Sequence, residues 1–319
     1  MTKTTRYQLL HVDAFDWLSK RRPRSIHAVV TDPPYGVIEY TPEQLLKRRN
    51  GSGGIWRLPH GYDGHQRSPM PRFTVLGRSE QMLIRAFHAR LAPLLYEVLM
   101  PGGHVILASQ NLISHLVISS FCDAGFEIRG QIVRVVRTLR GGDRPKNAHE
   151  KYPEVSVSPR SCWEPWLVFR RPCEGSVRDN LDRWGTGALR RPSVSKPFSD
   201  LIKSSPARGQ ERKIAPHPSL KPQAFMRQIV WAALPLGKGV VLDPFMGAGS
   251  TISAAEHLGL RSIGLELDAE FFRLAEQAVP QLVQLDTTRD WPVAEAPDSF
   301  LDLTPTSLGS QPASPRCDN

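Results

Sequence analysis

An Asp-Pro-Pro-Tyr motif, Asp32-Pro33-Pro34-Tyr35, follows the apolar run at residues 27–31 and is the first candidate for chemistry. A carboxylate at the carboxyl end of a parallel strand lies where open α/β sheets bind their ligands. The two prolines stiffen the turn and remove backbone donors, which leaves carbonyl oxygens as acceptors. The Asp32 carboxylate and one such carbonyl can accept two hydrogen bonds from an amino group, while Tyr35 stacks on the ring that carries this group. The alternative is a rigid turn in which Asp32 has only a structural partner.

A glycine-containing turn lies much later in the chain, between an apolar run and a helical stretch. Gly247 and Gly249 let the backbone approach a ligand closely. The dinucleotide-binding fingerprint needs a third glycine at position 252, where the sequence has Ile252. A phosphate-binding P-loop needs a lysine after its last glycine, but Ser250 and Thr251 follow Gly249 directly. The turn therefore suits a nucleoside ligand without phosphates.

Two acids accompany the glycine turn. Asp243 ends the apolar run before it, and Glu266 ends the next predicted strand 23 residues later. An acid at about this distance is placed to accept hydrogen bonds from the hydroxyl groups of a ribose. The alternative is a solvent-exposed carboxylate at a strand end, and the context favours the ribose.

Four nearly uninterrupted apolar runs predict strands that are buried on both faces of a sheet. They cover residues 28–30, 104–108, 239–242 and 262–265. Helical periodicity separates them, most clearly over residues 82–99, where Pro101-Gly102-Gly103 ends the pattern. Because strands alternate with helices, the sequence predicts a three-layer α/β fold with a mostly parallel sheet.

Charge and composition narrow the class of protein. The 319 residues include 41 Lys and Arg against 31 Asp and Glu, and this net charge of +10 favours a polyanionic partner. No apolar run approaches the roughly 20 residues of a membrane span, and the N-terminus lacks the apolar core of a signal peptide. The cysteines form no CxxC pair, so we expect no disulfide framework, no metal site and a cytoplasmic location. They are Cys122, Cys162, Cys173 and Cys317.

The order of the two motifs resembles one family of enzymes. A strand followed by Asp-Pro-Pro-Tyr, and later a strand followed by Asp-Pro-Phe-x-Gly-x-Gly-Ser-Thr, is similar to the amino-group DNA methyltransferases that use S-adenosylmethionine. The catalytic motif comes first and a divergent region separates the two, which is the order of the β class. The resemblance covers about residues 6–280. It implies a doubly wound, Rossmann-like, mostly parallel sheet with an inserted DNA-recognition region.

The resemblance also implies which residues bind S-adenosylmethionine. Asp13 matches the acidic position at the cofactor's adenine, Glu266 matches the ribose-binding acid, and the glycine turn matches the loop around the methionine moiety. Residues 217–222 match the segment that closes over the methionine end, although family members often carry Thr or Gln at Ser219-Leu220. The cofactor-binding residues that the resemblance implies are Asp13, Lys221, Pro222, Asp243, Pro244, Phe245, Gly247, Gly249, Ser250, Thr251 and Glu266.

For catalysis the resemblance implies methyl transfer to the exocyclic amino group of a base that has flipped out of the duplex. Asp32 and the carbonyl of Pro34 would accept the amino hydrogens and stabilise the positive charge that develops on nitrogen, with Tyr35 stacked on the base. Asp at the first motif position favours adenine N6, because cytosine-N4 members more often carry Ser there. Cytosine N4 is the alternative. The Pro172-Cys173 dipeptide lies far from Asp32 in the chain, so we interpret it as incidental to any C5-cytosine chemistry.

The chain divides into four parts on this interpretation. Residues 1–128 form the catalytic half, and residues 215–288 form the cofactor-binding half. Within the first part, the Gly-, Pro- and Arg-rich segment 41–80 either closes over the flipped base or is disordered. Residues 129–214 combine late strands, among them Glu164–Arg170, with a basic target-recognition region. Residues 289–319 are acidic and rich in Pro and Ser, which predicts a disordered tail.

The middle part is the candidate for DNA contact. Residues 129–221 hold 20 Lys and Arg against 9 Asp and Glu. Four basic residues surround Gly141-Gly142 and suit contact with the phosphate backbone, although surface basic residues are usually only solvated. They are Arg137, Arg140, Arg144 and Lys146.

Other functions are weaker alternatives. An RNA or protein amino-group methyltransferase could use the same motif, but the motif order and the basic insert favour DNA. A catalytically inactive DNA-binding relic would have lost Asp32 or the glycine turn, and the chain keeps both. The implied partner is double-stranded DNA and not a membrane. We expect a bacterial or phage-encoded protein that associates with the nucleoid in the cytoplasm. A separate restriction endonuclease and a homodimer are further partners that the resemblance allows.

Overall fold

The computed structural model describes residues 6–34, 77–136, 144–145, 148, 150–207, 209–217 and 219–287. Within these residues an eight-stranded sheet has the order β1-β8-β7-β2-β3-β5-β4-β6. The strands are β1 (Tyr7–His11), β2 (Ile26–Thr31), β3 (Leu99–Ala108), β4 (Glu127–Val135), β5 (Trp163–Arg170), β6 (Leu201–Lys203), β7 (Val240–Asp243) and β8 (Arg261–Glu266).

Helices connect most of these strands. In chain order they are α1 (Ala14–Lys20), α2 (Arg78–Val98), α3 (Ser114–Asp123), α4 (Val177–Trp184), α5 (Gln210–Ile214), α6 (Gln223–Ala233), α7 (Ser250–His257) and α8 (Ala269–Val283). None of the helices in the described part of the chain is long and apolar enough to cross a membrane.

The sheet is parallel except for one strand. β1, β8, β7, β2 and β3 pair in parallel, and so do β4 and β6, whereas β5 runs antiparallel to both β3 and β4. From the central β7–β2 pair, the chain continues outward in one direction to β8 and in the other to β3. The carboxyl ends of β7 and β2 therefore flank a topological switch point, where open α/β sheets bind ligands. The predicted doubly wound, mostly parallel sheet is confirmed.

Helices cover both faces of the sheet and bury the apolar runs. On one face Val29 of β2 packs into a core with Leu95 of α2 and Phe121 of α3. On the other face Val30 packs into a second core with Phe225 of α6. Successive β2 residues thus enter different cores, which explains why the run is apolar throughout instead of alternating.

The four strand predictions are confirmed, and the helical pattern ends before Pro101-Gly102-Gly103 as expected, but β3 begins earlier than its apolar run. Helix α2 ends at Val98, and β3 begins at once with Leu99, which pairs with Ile26. Between Leu99 and His104 the register of β3 against β2 shifts, because five residues of β3 correspond to two of β2. Pro101-Gly102-Gly103 therefore forms an irregularity inside a long strand and does not separate a helix from a strand.

A candidate active site at the carboxyl edge of the sheet

The pairing of β2 with β7 brings the two sequence motifs together. Val29 lies opposite Leu242, so the residues that end the two strands are neighbours although about two hundred residues separate them in the chain. The buried hydroxyl of Thr31 donates a hydrogen bond of 2.7 Å to Oδ1 of Asp243. Asp32 follows Thr31 directly. The Asp-Pro-Pro turn and the glycine turn thus share one edge of the sheet.

Asp243 is the most deeply buried acid of this edge, with 3% of its surface exposed. Its Oδ1 also accepts a hydrogen bond of 3.1 Å from the backbone N–H of Phe245. Burial raises the pKa of Asp243 to about 6, although hydrogen bonds from Thr251, Thr31 and Phe245 oppose the rise. The negative charge of Asp32 adds to the rise in pKa. A positively charged ligand group would therefore be favoured here.

The glycine turn needs glycine at both predicted positions. Gly247 and Gly249 have φ angles of +51° and +81°, in the left-handed region that side chains disfavour. A Cβ atom on Gly247 would lie 3.1 Å from the imidazole ring of His217, and one on Gly249 would overlap Val279. Helix α7 begins directly after Gly249. The His217 ring and the Val279 side chain therefore pack close to this turn, at the amino end of a helix.

The acids predicted to bind a nucleoside end two adjacent strands. Glu266 ends β8, and its carboxylate accepts hydrogen bonds from the N–H groups of Gly247 (2.9 Å) and Asp268 (2.8 Å). Asp13 lies just beyond β1, which pairs with β8, and it caps α1 through a hydrogen bond of 2.9 Å from the N–H of Asp16. The structure therefore places both carboxylates at the same edge as Asp243.

Lys221 lies against Asp32 and not only beside the cofactor loop. Its ammonium group forms a hydrogen-bonded ion pair with Oδ2 of Asp32 and lies 3.6 Å from Oε1 of Glu164. Burial alone would lower the pKa of Lys221, but the carboxylates of Asp32 and Glu164 outweigh it and the pKa is raised. Nearby, burial lowers the pKa of His217, whose ring packs edge-on against Phe271.

Glu164 reaches this edge because β5 is antiparallel, so that its first residues lie beside the last residues of β4. Glu164 pairs with Arg134 across the two strands, and the guanidinium Nη1 donates to Oε2 of Glu164 at 2.9 Å. The indole N–H of Trp166 donates to the other carboxylate oxygen at 3.1 Å. Sequence reasoning missed the roles of Glu164 and Arg134. An acid at the start of a predicted antiparallel strand is the signal that could have pointed to Glu164.

The other predicted site residues are only partly described. Pro33, Pro222, Pro244 and Thr251 are buried and Ser250 is half-buried, whereas Pro34 and Arg144 are exposed. Tyr35, Arg137, Arg140, Lys146 and most of the segment 41–80 lie outside the described residues, as does the tail 289–319.

Part of the basic segment lies at the opposite edge of the sheet. The guanidinium group of Arg171 donates to the carbonyl of Leu99, and the amide of Asn180 donates to the carbonyl of Pro101, both at the start of β3. The backbone N–H of Arg190 donates to the carbonyl of Ala232, at the end of α6. Residues 171–191 are thus remote from Asp32.

The residues at the carboxyl edge fit S-adenosylmethionine. Carboxylates at the ends of β1, β8 and β7 can accept hydrogen bonds from an adenine, from ribose hydroxyls and from a cationic amino acid moiety. The left-handed turn at Gly247 and Gly249 places the amino end of α7 at the same edge of the sheet. In the described ranges, no cluster of three or more His, Cys, Asp or Glu side chains could hold a metal ion.

Comparisons with known proteins identify the family. The family model described as DNA methylase, for N6 and N4 enzymes, matches residues 26–277. The type II methyltransferase M2.DpnII of Streptococcus pneumoniae is 24% identical over 84% of this chain and 88% of its own length. The type II methyltransferase M.HindIII of Haemophilus influenzae is 23% identical over 82% of this chain and 92% of its own length.

Solved structures share the fold. The DNA modification methylase TTHA0409 of Thermus thermophilus, described as putative and complexed with S-adenosyl-L-methionine, aligns with a TM-score of 0.53 and 18% identity, over 86% of this chain and 95% of that chain. The cytosine-N4-specific PvuII DNA methyltransferase aligns with a TM-score of 0.57 and 14% identity. The alignment covers 89% of this chain and 88% of that chain. The family model spans both motifs and the strands that join them, and the chain belongs to the N6/N4 DNA methylase family.

Proposed function

We propose that this protein transfers a methyl group from S-adenosylmethionine to the exocyclic amino group of a flipped base in duplex DNA, with adenine N6 as the target. The observation that carries the proposal is the hydrogen bond between Thr31 and Asp243. It joins the Asp-Pro-Pro turn to the glycine turn across the switch point of the sheet, so that an amino group at Asp32 would lie beside a ligand at Gly247.

Three acids and the glycine turn would hold the cofactor. Glu266 would accept hydrogen bonds from the ribose hydroxyls, Asp13 would contact the adenine, and Asp243 would attract the cationic methionine end. When bound, S-adenosylmethionine supplies a methyl group made electrophilic by its sulfonium. The protein therefore needs chiefly to position the acceptor, and correct orientation can be worth about 7–11 kcal/mol.

Asp32 would orient the acceptor amine. The amino nitrogen of an aromatic base is a poor nucleophile, because its lone pair is delocalised into the ring. Hydrogen bonds from this nitrogen to the carboxylate of Asp32 and to the carbonyl of Pro34 would draw it towards tetrahedral geometry. They would also stabilise the positive charge that develops on nitrogen during transfer. The base must leave the duplex to reach Asp32, at a cost of a few kcal/mol.

Adenine is proposed because aspartate stands at the first position of the motif. Cytosine N4 is the alternative, and the cytosine-N4-specific PvuII enzyme has the same fold. Both substrates present an exocyclic amino group that can donate two hydrogen bonds. The distinction therefore depends on the pocket that receives the ring, to which residues outside the described ranges, such as Tyr35, would contribute.

The proposed DNA surface is narrower than the basic segment 129–214. Residues 171–191 lie at the far edge of the sheet, whereas the connection between β4 and β5 and the residues after β6 both leave the sheet at the edge that holds Asp32. We therefore propose DNA contacts for residues 136–162 and 204–217. The proposed partners also include a restriction endonuclease, because the relatives are named type II methyltransferases, and a second copy of the chain.

The test is expression in a host that lacks DNA methylation, followed by modification-sensitive sequencing of its DNA. Wild type should produce N6-methyladenine at one short sequence. The Asp32→Ala variant should produce none, while calorimetry shows S-adenosylmethionine binding within about threefold of wild type. Asp123→Ala, at an exposed position on α3, is the matched control and should retain activity. Substantial turnover by Asp32→Ala would overturn the mechanism. If the product is N4-methylcytosine, the target base is cytosine and not adenine.

A further inference from the structure

Four side chains of alternating charge form a chain from the Asp-Pro-Pro turn into the sheet. They are Asp32, Lys221, Glu164 and Arg134, with exposed side-chain fractions of 16%, 11%, 18% and 5%. Charges this poorly hydrated interact strongly, and each needs its partners to be tolerated. The arrangement connects four separate elements: the end of β2, the segment before α6, the start of β5 and the end of β4.

The far end of this chain is firmly held. Besides Glu164, Arg134 donates from Nε to the hydroxyl of Ser204 at 3.1 Å and from Nη2 to the carbonyl of Ser205 at 3.1 Å. Glu164 has partners on both oxygens, since Arg134 binds Oε2 and Trp166 binds Oε1. Glu164 is therefore a fixed negative charge, and Lys221 is the member that lies between a fixed carboxylate and the carboxylate of the motif.

A cation so close to Asp32 has two opposite effects on methyl transfer. It holds the carboxylate of Asp32 in place to accept a hydrogen bond from an incoming amine. However, an ammonium group that stays on Asp32 competes with the amine for the same oxygen and opposes the positive charge that develops on nitrogen. The second carboxylate, Glu164 at 3.6 Å from Nζ, offers the ammonium group another partner within a short movement.

We propose that Lys221 is a positioning residue for Asp32 that holds the carboxylate aimed in the absence of the base, and moves its hydrogen bond to Glu164 when the base amino group binds. The inference rests on the proposed function, since it concerns the same acceptor site. It gives Glu164 a role in the reaction although it does not touch the substrate. It also adds a role to Lys221, for which family resemblance implies only a place near the cofactor.

The experiment measures single-turnover methyl transfer to duplex DNA over a range of DNA concentrations, together with S-adenosylmethionine binding, for three variants. Lys221→Met should lower the rate at saturating DNA by about 100-fold or more, because Asp32 loses the partner that aims it. Glu164→Gln should raise the DNA concentration that gives half the maximal rate, because the ammonium group then has no second carboxylate to move to and competes with the base for Asp32. Lys221→Arg keeps the cation and should restore the rate to within about tenfold of wild type.

The expected result is a lower rate in Lys221→Met, a raised half-saturating DNA concentration in Glu164→Gln and rescue by Lys221→Arg. A purely structural role for Lys221 would instead lower the rate and the melting temperature together, without rescue by Lys221→Arg. That outcome, or an unchanged half-saturating DNA concentration in Glu164→Gln, would overturn the inference. Should Lys221→Met fail to fold, Glu164→Gln and Lys221→Arg decide alone. If wild type transfers no methyl group to DNA, the proposed function has failed instead.

Discussion

The buried carboxyl group of Asp243 predicts a specific dependence of stability on pH. Burial, with the charge of Asp32 adding to it, raises the pKa of Asp243 from its ordinary 3.8 to about 6. At 1.36 kcal/mol for each pH unit, this difference corresponds to about 3 kcal/mol. Because the folded pKa lies above the unfolded one, this stabilisation is fully present below pH 3.8 and is lost as the pH rises through about 6.

The substitution Asp243→Asn isolates this effect. Asparagine has the shape of the protonated acid and does not titrate, so contributions from all other groups cancel in the difference between the two proteins. Urea denaturation should give nearly equal free energies of unfolding at about pH 4, whereas at about pH 7 the variant should be more stable by about 3 kcal/mol. Asp123→Asn, at an exposed position on α3, should follow wild type within about 0.5 kcal/mol at every pH.

The same titration should appear in cofactor binding. A cationic ligand favours the ionised form of Asp243, so the affinity for S-adenosylmethionine should increase about tenfold from pH 5 to pH 7 in wild type, following the ionised fraction of a group with a pKa of about 6. Asp243→Asn should bind more weakly and show no such increase. The reasoning is refuted if the difference in unfolding free energy between wild type and Asp243→Asn stays constant between pH 4 and 7.

Two further substitutions test the packing at the glycine turn and at the far edge of the sheet. Gly249→Ala introduces a side chain at φ +81° and against Val279, which should destabilise the protein by about 2–4 kcal/mol. In a double-mutant cycle of urea unfolding, Val279→Ala should recover at least about 1 kcal/mol of that loss, and strict additivity would show that the two residues do not meet. Asn180→Ala removes buried hydrogen bonds to the carbonyls of Pro101 and Thr186 and should cost about 2–4 kcal/mol, with an unchanged Kd for S-adenosylmethionine. A loss of cofactor binding in Asn180→Ala would contradict its placement at the far edge of the sheet.

Local patterns predicted the elements that carry both motifs. The run at residues 28–30 is apolar without alternation because the sheet is covered on both faces, and that condition is visible in the sequence itself. A strand, a glycine turn and a helix were expected in succession, and β7, the turn at Gly247 and Gly249, and α7 follow one another in the chain. Where a feature depends on a few neighbouring residues, sequence reasoning was sufficient.

Contacts between distant segments could not be predicted in this way. The ion pair between Lys221 and Asp32 joins residues 189 positions apart, and it exists because β2 and the segment before α6 end at the same edge. Motif resemblance placed Lys221 at the cofactor, since a motif describes one segment and carries no information on what another segment brings to it. The early start of β3 was not predicted for a related reason: Pro and Gly usually mark a turn, but backbone hydrogen bonds of Gly102 and Gly103 with Arg171, just beyond β5, hold this segment in the sheet.

The direction of β5 determines both the composition of the site and the use of the basic charge. Because β5 is antiparallel to its neighbours, Glu164 at its start lies beside Arg134 at the end of β4, and Arg170 at its end lies beside Glu127 at the opposite edge. A parallel β5 would remove the second carboxylate from Lys221. At the far edge Arg170 pairs with Glu127 at 2.6 Å, and Arg171 satisfies backbone carbonyls at the end of α2 and the start of β3. These guanidinium groups stabilise the fold. The positive charge that is available to contact DNA is therefore smaller than the total charge of the basic segment.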